Sequence, residues 1–231
     1  MRPRLALFDI DLTMVKTGGA GLRAMARAFR EFTGHAGEVA MIRPDGKTDP
    51  LIVPELFAAN GQTYAPEDYE PFMLLYLKHL DDEQRTQTDW TLMPGVRDLV
   101  ARLAASPAWR LGLVTGNDER GARLKLAPFG LNSHFPVGGF ASDSALRHEL
   151  IPIAIRRASE HYKVSFSPAD VLVLGDSQKD VFAAQRAGVR VLAVAAGLTS
   201  AEDLRAAAPT ALVSDLSDVE GVIGLMERML S

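Results

Sequence analysis

The stretch Leu5-Ala6-Leu7-Phe8-Asp9-Ile10-Asp11-Leu12-Thr13 opens with four apolar residues and closes with two aspartates. A short apolar run of this kind is typical of a strand buried on both faces. Residues two apart on an extended chain project to the same side, so we expect Asp9 and Asp11 to point together. Two close carboxylates repel each other and are tolerated best around a divalent cation or when one is protonated. A turn in which an aspartate caps the next element is the alternative.

The same pattern recurs along the chain and predicts the fold class. Further apolar runs occupy Leu111–Val114, Val171–Leu174 and Val189–Val194. Amphipathic stretches alternate with these runs and predict helices, namely Gly95–Ala105, Asp118–Ala127, Glu149–His161, Lys179–Ala187 and a last helix within Leu216–Leu230. Strand–helix alternation favours an α/β fold with a parallel sheet and helices on both faces. In such a fold, ligands bind beyond the carboxyl ends of the strands.

One segment interrupts this alternation directly after the first strand. Between Val15 and about Thr91 we find no buried strand, and helical patterns occupy Gly21–Phe32, Pro50–Ala59 and Glu67–Leu80. Met93-Pro94-Gly95 is typical of a return to the sheet, with proline opening the next helix. We therefore predict a core formed by residues 1–14 and 92–231, with residues 15–91 as a separate helical domain.

Composition excludes several classes of protein. The chain has 231 residues and no cysteine, which rules out disulfides, thiolate metal sites and cysteine nucleophiles. Its formal net charge of −4 argues against a nucleic-acid-binding protein, which usually has a basic excess. The N-terminal apolar run is too short for a signal peptide, and no segment has the roughly 18 consecutive apolar residues of a membrane span. We expect a cytoplasmic protein that binds neither nucleic acid nor membrane.

The second predicted strand ends in Thr115-Gly116-Asn117, directly before a helix. Free N–H groups at the start of a helix, together with its positive dipole end, favour phosphate. Glycine lets the ligand approach the backbone, and the threonine adds a hydroxyl. The same residues would also serve as an ordinary helix N-terminus, which is the alternative.

The third predicted strand ends in Gly175-Asp176-Ser177-Gln178-Lys179-Asp180. Asp176 and Asp180 share one face if a helix begins between them. Oxygen ligands without a histidine or cysteine cluster favour a hard ion, and Mg²⁺ is the expected one. Helix capping by Asp176 or Ser177 is the alternative. A single cation, Arg147, precedes the helix at Glu149–His161 and completes the set of candidate residues.

The order of these residues resembles the four motifs of the haloacid-dehalogenase-like hydrolase superfamily, the group that includes phosphoglycolate phosphatases. The matching residues, which span most of the chain, are Asp9-x-Asp11-x-Thr13, Thr115, Arg147 and Gly175-Asp176-x-x-x-Asp180. The resemblance implies a Rossmann-like core with a helical cap domain, and a Mg²⁺-dependent phosphatase of small phosphorylated metabolites.

The resemblance also implies a role for each residue. Asp9 is the nucleophile that forms an aspartyl-phosphate, and Asp11 is the general acid and base. The metal ligands are Asp9, Asp176 and the backbone carbonyl of Asp11, with Asp180 placing the metal's waters or assisting directly. Thr115 with the N–H groups of Gly116 and Asn117 holds the phosphoryl oxygens.

Two positions depart from the family pattern. Leu12 stands where the family usually has glycine, so the turn must tolerate a side chain. Arg147 stands where the third motif usually has lysine, and Lys125 or no residue at all are the alternatives for this motif. A guanidinium remains charged and grips phosphate through two N–H groups, so phosphate binding survives this change.

The predicted helical domain contains Gly46-Lys47-Thr48-Asp49 where family members often place a loop that faces the substrate. Lys47 would meet a second anionic group there, with a plain solvated turn as the alternative. Gly18 and Gly19 would serve as a hinge or simply as loop glycines.

Three other activities are compatible with parts of the pattern. A phosphomutase shares the core motifs and differs in its cap. A 2-haloacid dehalogenase needs neither Mg²⁺ nor Asp11, Asp176 and Asp180, so these residues argue against it. A phospho-accepting receiver module is shorter and has no helical cap. The substrate is left open, and so is the choice between a monomer and a homodimer.

Overall fold

The computed structural model describes residues 3–44 and 46–231. Residues 1, 2 and 45, which include the start of the N-terminal segment considered above, lie outside the described residues.

A six-stranded parallel sheet forms the centre of the fold. Its order is β5-β4-β1-β6-β7-β8, so the first strand lies in the interior of the sheet. The strands are β1 (Arg4–Phe8), β4 (Trp109–Val114), β5 (Gly138–Gly139), β6 (Val171–Gly175), β7 (Arg190–Val194) and β8 (Ala211–Val213). The predicted α/β fold with a parallel sheet is confirmed.

Helices cover both faces of this sheet, and alternate residues of β1 separate the two hydrophobic cores. Ala6 and Phe8 face α4 (Val96–Ala105), α5 (Glu119–Leu126) and α9 (Val219–Met229). Leu5 and Leu7 face α6 (Arg147–Tyr162), α7 (Gln178–Arg186) and α8 (Ala201–Ala206). Because apolar residues occupy both faces, the strand is fully buried, as its sequence predicts.

In its described part, the segment between residues 17 and 90 contains three α-helices that share a hydrophobic cluster of their own. These helices are α1 (Ala20–Thr33), α2 (Asp49–Ala59) and α3 (Tyr69–Thr86). Their shared cluster is centred on aromatic side chains, among them Phe29, Phe57, Phe72 and Tyr76. We call residues 15–91 the helical insert.

Two very short strands connect the helical insert to the sheet. β2 (Val15–Lys16) pairs antiparallel with β3 (Thr91–Leu92). We expected no buried strand in this region, and two residues are too few to produce a periodic pattern. Gly18 and Gly19 follow β2 with φ angles of 58° and 84°, in the left-handed region that glycine adopts readily. Their role as a hinge stays a prediction.

Among the residues that the structure describes, none of the helices is both long and apolar enough to cross a membrane.

Candidate active site

The ends of three neighbouring strands bring the predicted polar residues to one edge of the sheet. Asp9 follows β1, Thr115 follows β4, and Asp176 follows β6. Because β1 pairs in parallel with both β4 and β6, these three residues lie at the same edge. Together with Asp11 and Arg147, they line a cavity of about 380 Å³ between the sheet and the helical insert.

Three buried carboxylates lie together at the base of this site. One oxygen each of Asp9, Asp176 and Asp180 lies within 4.8 Å of the others. Asp180 enters this cluster because α7 begins at Gln178, between the two aspartates of the motif. A donor set made only of carboxylate oxygens suits a hard divalent cation, so the described residues fit a metal ion here.

Burial and mutual repulsion make the ionised form of these carboxylates unfavourable when no metal ion is bound. Burial raises the pKa of Asp9 to about 7. The positive charge of Arg147 lowers this pKa, and the negative charges of Asp180 and Asp11 raise it further. Burial also raises the pKa of Asp176 to about 8, and the carboxylates of Asp180 and Asp9 add to the rise. A bound divalent cation would favour the ionised form of both groups.

Asp180 also has a structural role at the start of α7. Its Oδ2 accepts hydrogen bonds from the Ser177 backbone N–H at 3.1 Å and from the Ser177 hydroxyl at 2.6 Å. The Ser177 oxygen in turn accepts from the backbone N–H of Asp180. This reciprocal arrangement is a capping box. Asp180 therefore caps α7 through one carboxylate oxygen and contacts Arg147 in the site through the other.

Arg147 lies between two of the three carboxylates. Its Nε donates to Asp180 Oδ1 at 3.0 Å, and one terminal nitrogen contacts the same oxygen and lies 3.1 Å from Asp9 Oδ1. The residue is the first of α6 and, unlike Asp9, Thr115 and Asp176, does not directly follow a strand. The planar guanidinium reaches both carboxylates at once.

Asp11 is held apart from the carboxylate cluster by a lysine. Lys125 Nζ lies 2.7 and 2.8 Å from the two carboxylate oxygens of Asp11 and 2.6 Å from Asn117 Oδ1. Asn117 Nδ2 donates both to Asp11 Oδ2 and to Thr115 Oγ1, each at 2.7 Å. These contacts fix the Asp11 side chain at the cavity wall. The predicted role of the Asp11 backbone carbonyl as a metal ligand stays a prediction.

Lys125 is a site residue that the sequence analysis considered only as an alternative to Arg147 for the third motif, and not as a partner of Asp11. It belongs to the buried face of α5 together with Gly121, Ala122 and Leu126. A lysine is rarely fully buried unless it is paired. A lysine on the apolar face of a helix therefore predicts a buried acidic partner, especially when the helix begins at a candidate phosphate loop. Here that partner is Asp11.

Leu12 adopts the left-handed backbone conformation that its neighbours require, with a φ of 59°. This conformation costs a residue with a Cβ atom roughly 1–2 kcal/mol. The turn therefore tolerates a side chain at a cost, and that side chain lines the cavity beside Asp11.

A loop of the helical insert is bound directly to the sheet edge. Thr48 Oγ1 donates to Ala145 O at 2.7 Å, and the Asp49 backbone N–H donates to Gly116 O at 2.8 Å. Asp49 Oδ2 accepts from the Asp118 backbone N–H at 2.7 Å. The insert therefore closes over the phosphate loop at Thr115–Asn117.

Lys47 lies on the same loop and lines the cavity. Its Nζ is 2.5 Å from Glu55 Oε2, and both side chains are partly exposed. Its predicted contact with a second anionic group of the substrate stays a prediction.

Comparison with known proteins identifies the family. A model of the haloacid dehalogenase-like hydrolases matches residues 6–194. A phosphoglycolate phosphatase of Cereibacter sphaeroides is 28% identical over 80% of this chain and 81% of its own. One from Mesorhizobium japonicum is 25% identical over 98% of this chain and 96% of its own.

Solved structures agree on the fold. A hydrolase from Pseudomonas syringae superposes with a TM-score of 0.72 at 17% identity and covers 96% of this chain and 98% of its own. At that identity, the likeness concerns the fold alone. The family match confirms the resemblance deduced from the four motifs. The chain belongs to the haloacid dehalogenase-like hydrolase family and is an enzyme of that family.

Proposed function

We propose that this protein is a Mg²⁺-dependent phosphatase of small phosphate monoesters that works through an aspartyl-phosphate on Asp9. The observation that carries the proposal is the cluster of Asp9, Asp176 and Asp180 beside Arg147, at the edge where the loop at Thr115–Asn117 also lies. Relatives at 25–28% identity bear the name phosphoglycolate phosphatase, which supports the same reaction class.

Asp9 and Asp176 would hold the metal ion through carboxylate oxygens, with the backbone carbonyl of Asp11 as a further ligand. Asp180, which lies in the same cluster, would place the metal's waters or assist directly. When bound, the ion neutralises charge that otherwise keeps a phosphate dianion away from the nucleophile. The chain's own residues perform the remaining tasks. Thr115 and the N–H groups of Gly116 and Asn117 bind the phosphoryl oxygens, and Arg147 keeps the Asp9 carboxylate in place.

The reaction proceeds in two displacements. An oxygen of Asp9 bonds to phosphorus as the bond to the leaving oxygen breaks, and Asp11 gives its proton to that oxygen. Asp11 then removes a proton from water, and the water oxygen bonds to phosphorus as the bond to Asp9 breaks. Inorganic phosphate leaves, the Asp9 carboxylate is restored and Asp11 is again protonated. Lys125 and Asn117 orient Asp11 for both proton transfers.

Phosphate release tests the proposal directly. Purified protein with Mg²⁺ is expected to release inorganic phosphate from para-nitrophenyl phosphate with multiple turnovers. A phosphomutase would instead transfer the phosphoryl group to an added sugar phosphate and release little inorganic phosphate. A dehalogenase would leave the aryl phosphate intact and release halide from a 2-haloacid. Either result would replace the proposed reaction.

Arg147 tests the electrostatics of the site. Arg147→Ala leaves Asp9 and Asp180 without their cation, and breaking a buried ion pair in this way typically costs about 3–5 kcal/mol of stability. We expect a large fall in melting temperature and at least about a hundredfold lower kcat/KM. Arg147→Lys should recover part of the melting temperature and part of kcat/KM, because lysine keeps the charge but lacks the planar guanidinium that contacts two carboxylates at once.

The control for Arg147 lies on the same helix. Arg156→Ala removes an arginine of α6 that is 62% exposed and paired with Glu160. Exposed pairs contribute only about 0–1 kcal/mol, so this variant should behave like the wild type. Equal behaviour of the two alanine variants would exclude Arg147 from the site.

Gly116 tests the closure of the helical insert over the phosphate loop. A Cβ atom there would lie 2.1 Å from the backbone oxygen of Lys47. Gly116→Ala should therefore push the insert away from the sheet and reduce kcat/KM at least about tenfold, because misplacement by about 1 Å has large catalytic effects.

Gly121→Ala is the matched control for Gly116→Ala. It adds the same methyl group beside the insert, where the nearest side-chain atom would be 3.6 Å away, an ordinary contact. Steady-state kinetics on both variants measure the difference. Similar kcat/KM values for the two would show that the tight contact at Gly116 has no catalytic importance.

A further inference from the structure

We infer that the substrate is the phosphate monoester of an uncharged, largely apolar alcohol. This inference rests on the proposed phosphatase activity and specifies its leaving group. The carboxylate cluster and the phosphate loop occupy the sheet side of the cavity, so the leaving group faces the helical insert. The residues that the insert places on the cavity wall therefore determine which alcohol fits.

The insert lines the cavity largely with apolar side chains. Leu22 and Met25 come from α1, and Ile52 comes from α2. From the sheet side, Leu12 adds a further apolar side chain next to Asp11. Leu12 keeps its left-handed backbone at an energetic cost, and strained residues of this kind concentrate at functional sites. These side chains together form an apolar surface for the leaving group.

The buried cations along the cavity already donate hydrogen bonds to acidic side chains. Arg147 contacts Asp9 and Asp180, and Lys125 contacts both oxygens of Asp11. A second anionic group on the substrate would have to compete with these side chains for the same N–H donors. An anion without a partner at a buried site is strongly disfavoured.

The cations at the edge of the cavity are weaker anchors for an anion. Lys47 is paired with Glu55, so an anionic substrate would need to displace a carboxylate from it. The inference therefore opposes the expectation that Lys47 meets a second anionic group of the substrate. Lys16, on β2, lines the cavity and is exposed, and an exposed ammonium attracts a carboxylate only weakly. Neither residue compensates for the apolar wall.

Asp49 adds a reason to exclude an anion. Its side chain is 4% exposed, lines the cavity and contributes a carboxyl group to the insert side. One of its oxygens accepts from the Asp118 backbone N–H. Burial raises the pKa of Asp49 to about 7. Above that pH the ionised Asp49 repels a carboxylate on the substrate, whereas a neutral leaving group meets no such repulsion.

A pair of substrates that differ in one remote carboxylate group tests the inference. Benzyl phosphate and para-carboxybenzyl phosphate have similar leaving oxygens, and only the second carries a carboxylate. We expect kcat/KM for benzyl phosphate to exceed that for para-carboxybenzyl phosphate and for phosphoglycolate at least about tenfold. A preference for either carboxylated substrate would overturn the inference.

A charge placed in the apolar wall should reduce this preference. Ile52→Lys is expected to raise the relative kcat/KM for para-carboxybenzyl phosphate at least about tenfold. Leu51→Lys adds the same charge to the same helix at a side chain that is 44% exposed and not part of the cavity wall, so it should leave the ratio unchanged. An equal shift in both variants, or none in either, would contradict the proposed wall.

A second variant decides the matter if Ile52→Lys does not fold. Glycine accepts the backbone of Leu12 without strain, so Leu12→Gly is expected to fold. Its loss of apolar contact should lower kcat/KM for benzyl phosphate about tenfold relative to ethyl phosphate, and an unchanged ratio would remove Leu12 from the binding surface.

The same substrates distinguish a failure of the proposed phosphatase activity from a failure of the inference about the leaving group. No turnover of para-nitrophenyl phosphate or benzyl phosphate with Mg²⁺ would refute the phosphatase activity itself. Turnover of both, with faster hydrolysis of the carboxylated substrates, would refute only the inference about the leaving group.

Discussion

Replacement of Asp9 by asparagine is expected to lower kcat for para-nitrophenyl phosphate at least about 10⁴-fold. An amide cannot form the acyl phosphate, and loss of a covalent nucleophile typically removes most of the chemical rate enhancement. The change should leave the fold intact, because asparagine matches aspartate in shape and burial already disfavours the charge at this position. Steady-state kinetics and thermal denaturation measure the two effects.

The control for this variant is Asp98→Asn, which removes an exposed carboxylate from α4. It should retain the wild-type rate and melting temperature. If Asp9→Asn retains more than a small fraction of the activity while it folds, then Asp9 is not the nucleophile.

Removal of divalent metal is expected to have the second-largest effect, a loss of at least about 10³-fold in phosphate release with EDTA. Asp9, Asp176 and Asp180 lie together in buried positions, and Arg147 supplies only one positive charge between them. Without a metal ion, these carboxylates therefore repel a phosphate dianion. Added Mg²⁺ should restore the rate and raise the melting temperature, since a ligand that binds only the folded state stabilises it.

Asp176→Asn gives an independent test of the metal prediction. It removes one of the three clustered carboxylates and should weaken the stabilisation by Mg²⁺ measured by thermal denaturation. A wild-type enzyme that is indifferent to EDTA, with no shift of melting temperature on addition of Mg²⁺, would contradict a metal site at these residues.

The buried strands and the helices were predictable because both have strong local patterns. After Arg4, β1 consists of apolar residues that pack on both faces of the sheet, and the predicted helix at Pro50–Ala59 corresponds to α2. β5 and β8 were not predicted. β5 is the pair Gly138–Gly139 without side chains, and the apolar run of β8 is only three residues long, so neither is long enough to predict a strand.

The site was predictable in part, for a reason that lies in the topology. Residues at the ends of parallel strands meet wherever the strands are neighbours, which places Asp9, Thr115 and Asp176 at one edge. Lys125 comes from the buried face of a helix, and its pairing with Asp11 depends on how α5 packs. Such tertiary contacts have no local signature beyond a charge on an apolar face.

The contacts of the helical insert were equally inaccessible from sequence. From the sequence, we expect Asp49 in the loop before the helix predicted from Pro50, and in the structure it is the first residue of α2. Its backbone and carboxylate also bind the loop of Gly116 and Asp118, residues far away in the chain. The division into a core of residues 1–14 and 92–231 and a cap of residues 15–91 stays a proposal, with Gly116→Ala as its functional test.

The central claim is that phosphorus is bonded to Asp9 during turnover, and it can be measured directly. Asp11→Asn removes the base that activates water, so this variant should accumulate the intermediate from para-nitrophenyl phosphate, whose leaving group needs no acid. We predict that acid quenching within one turnover, followed by peptide mass spectrometry, finds one phosphoryl group on the peptide that contains Asp9. A phosphoryl group on another residue, or none while phosphate is still released, would contradict the account.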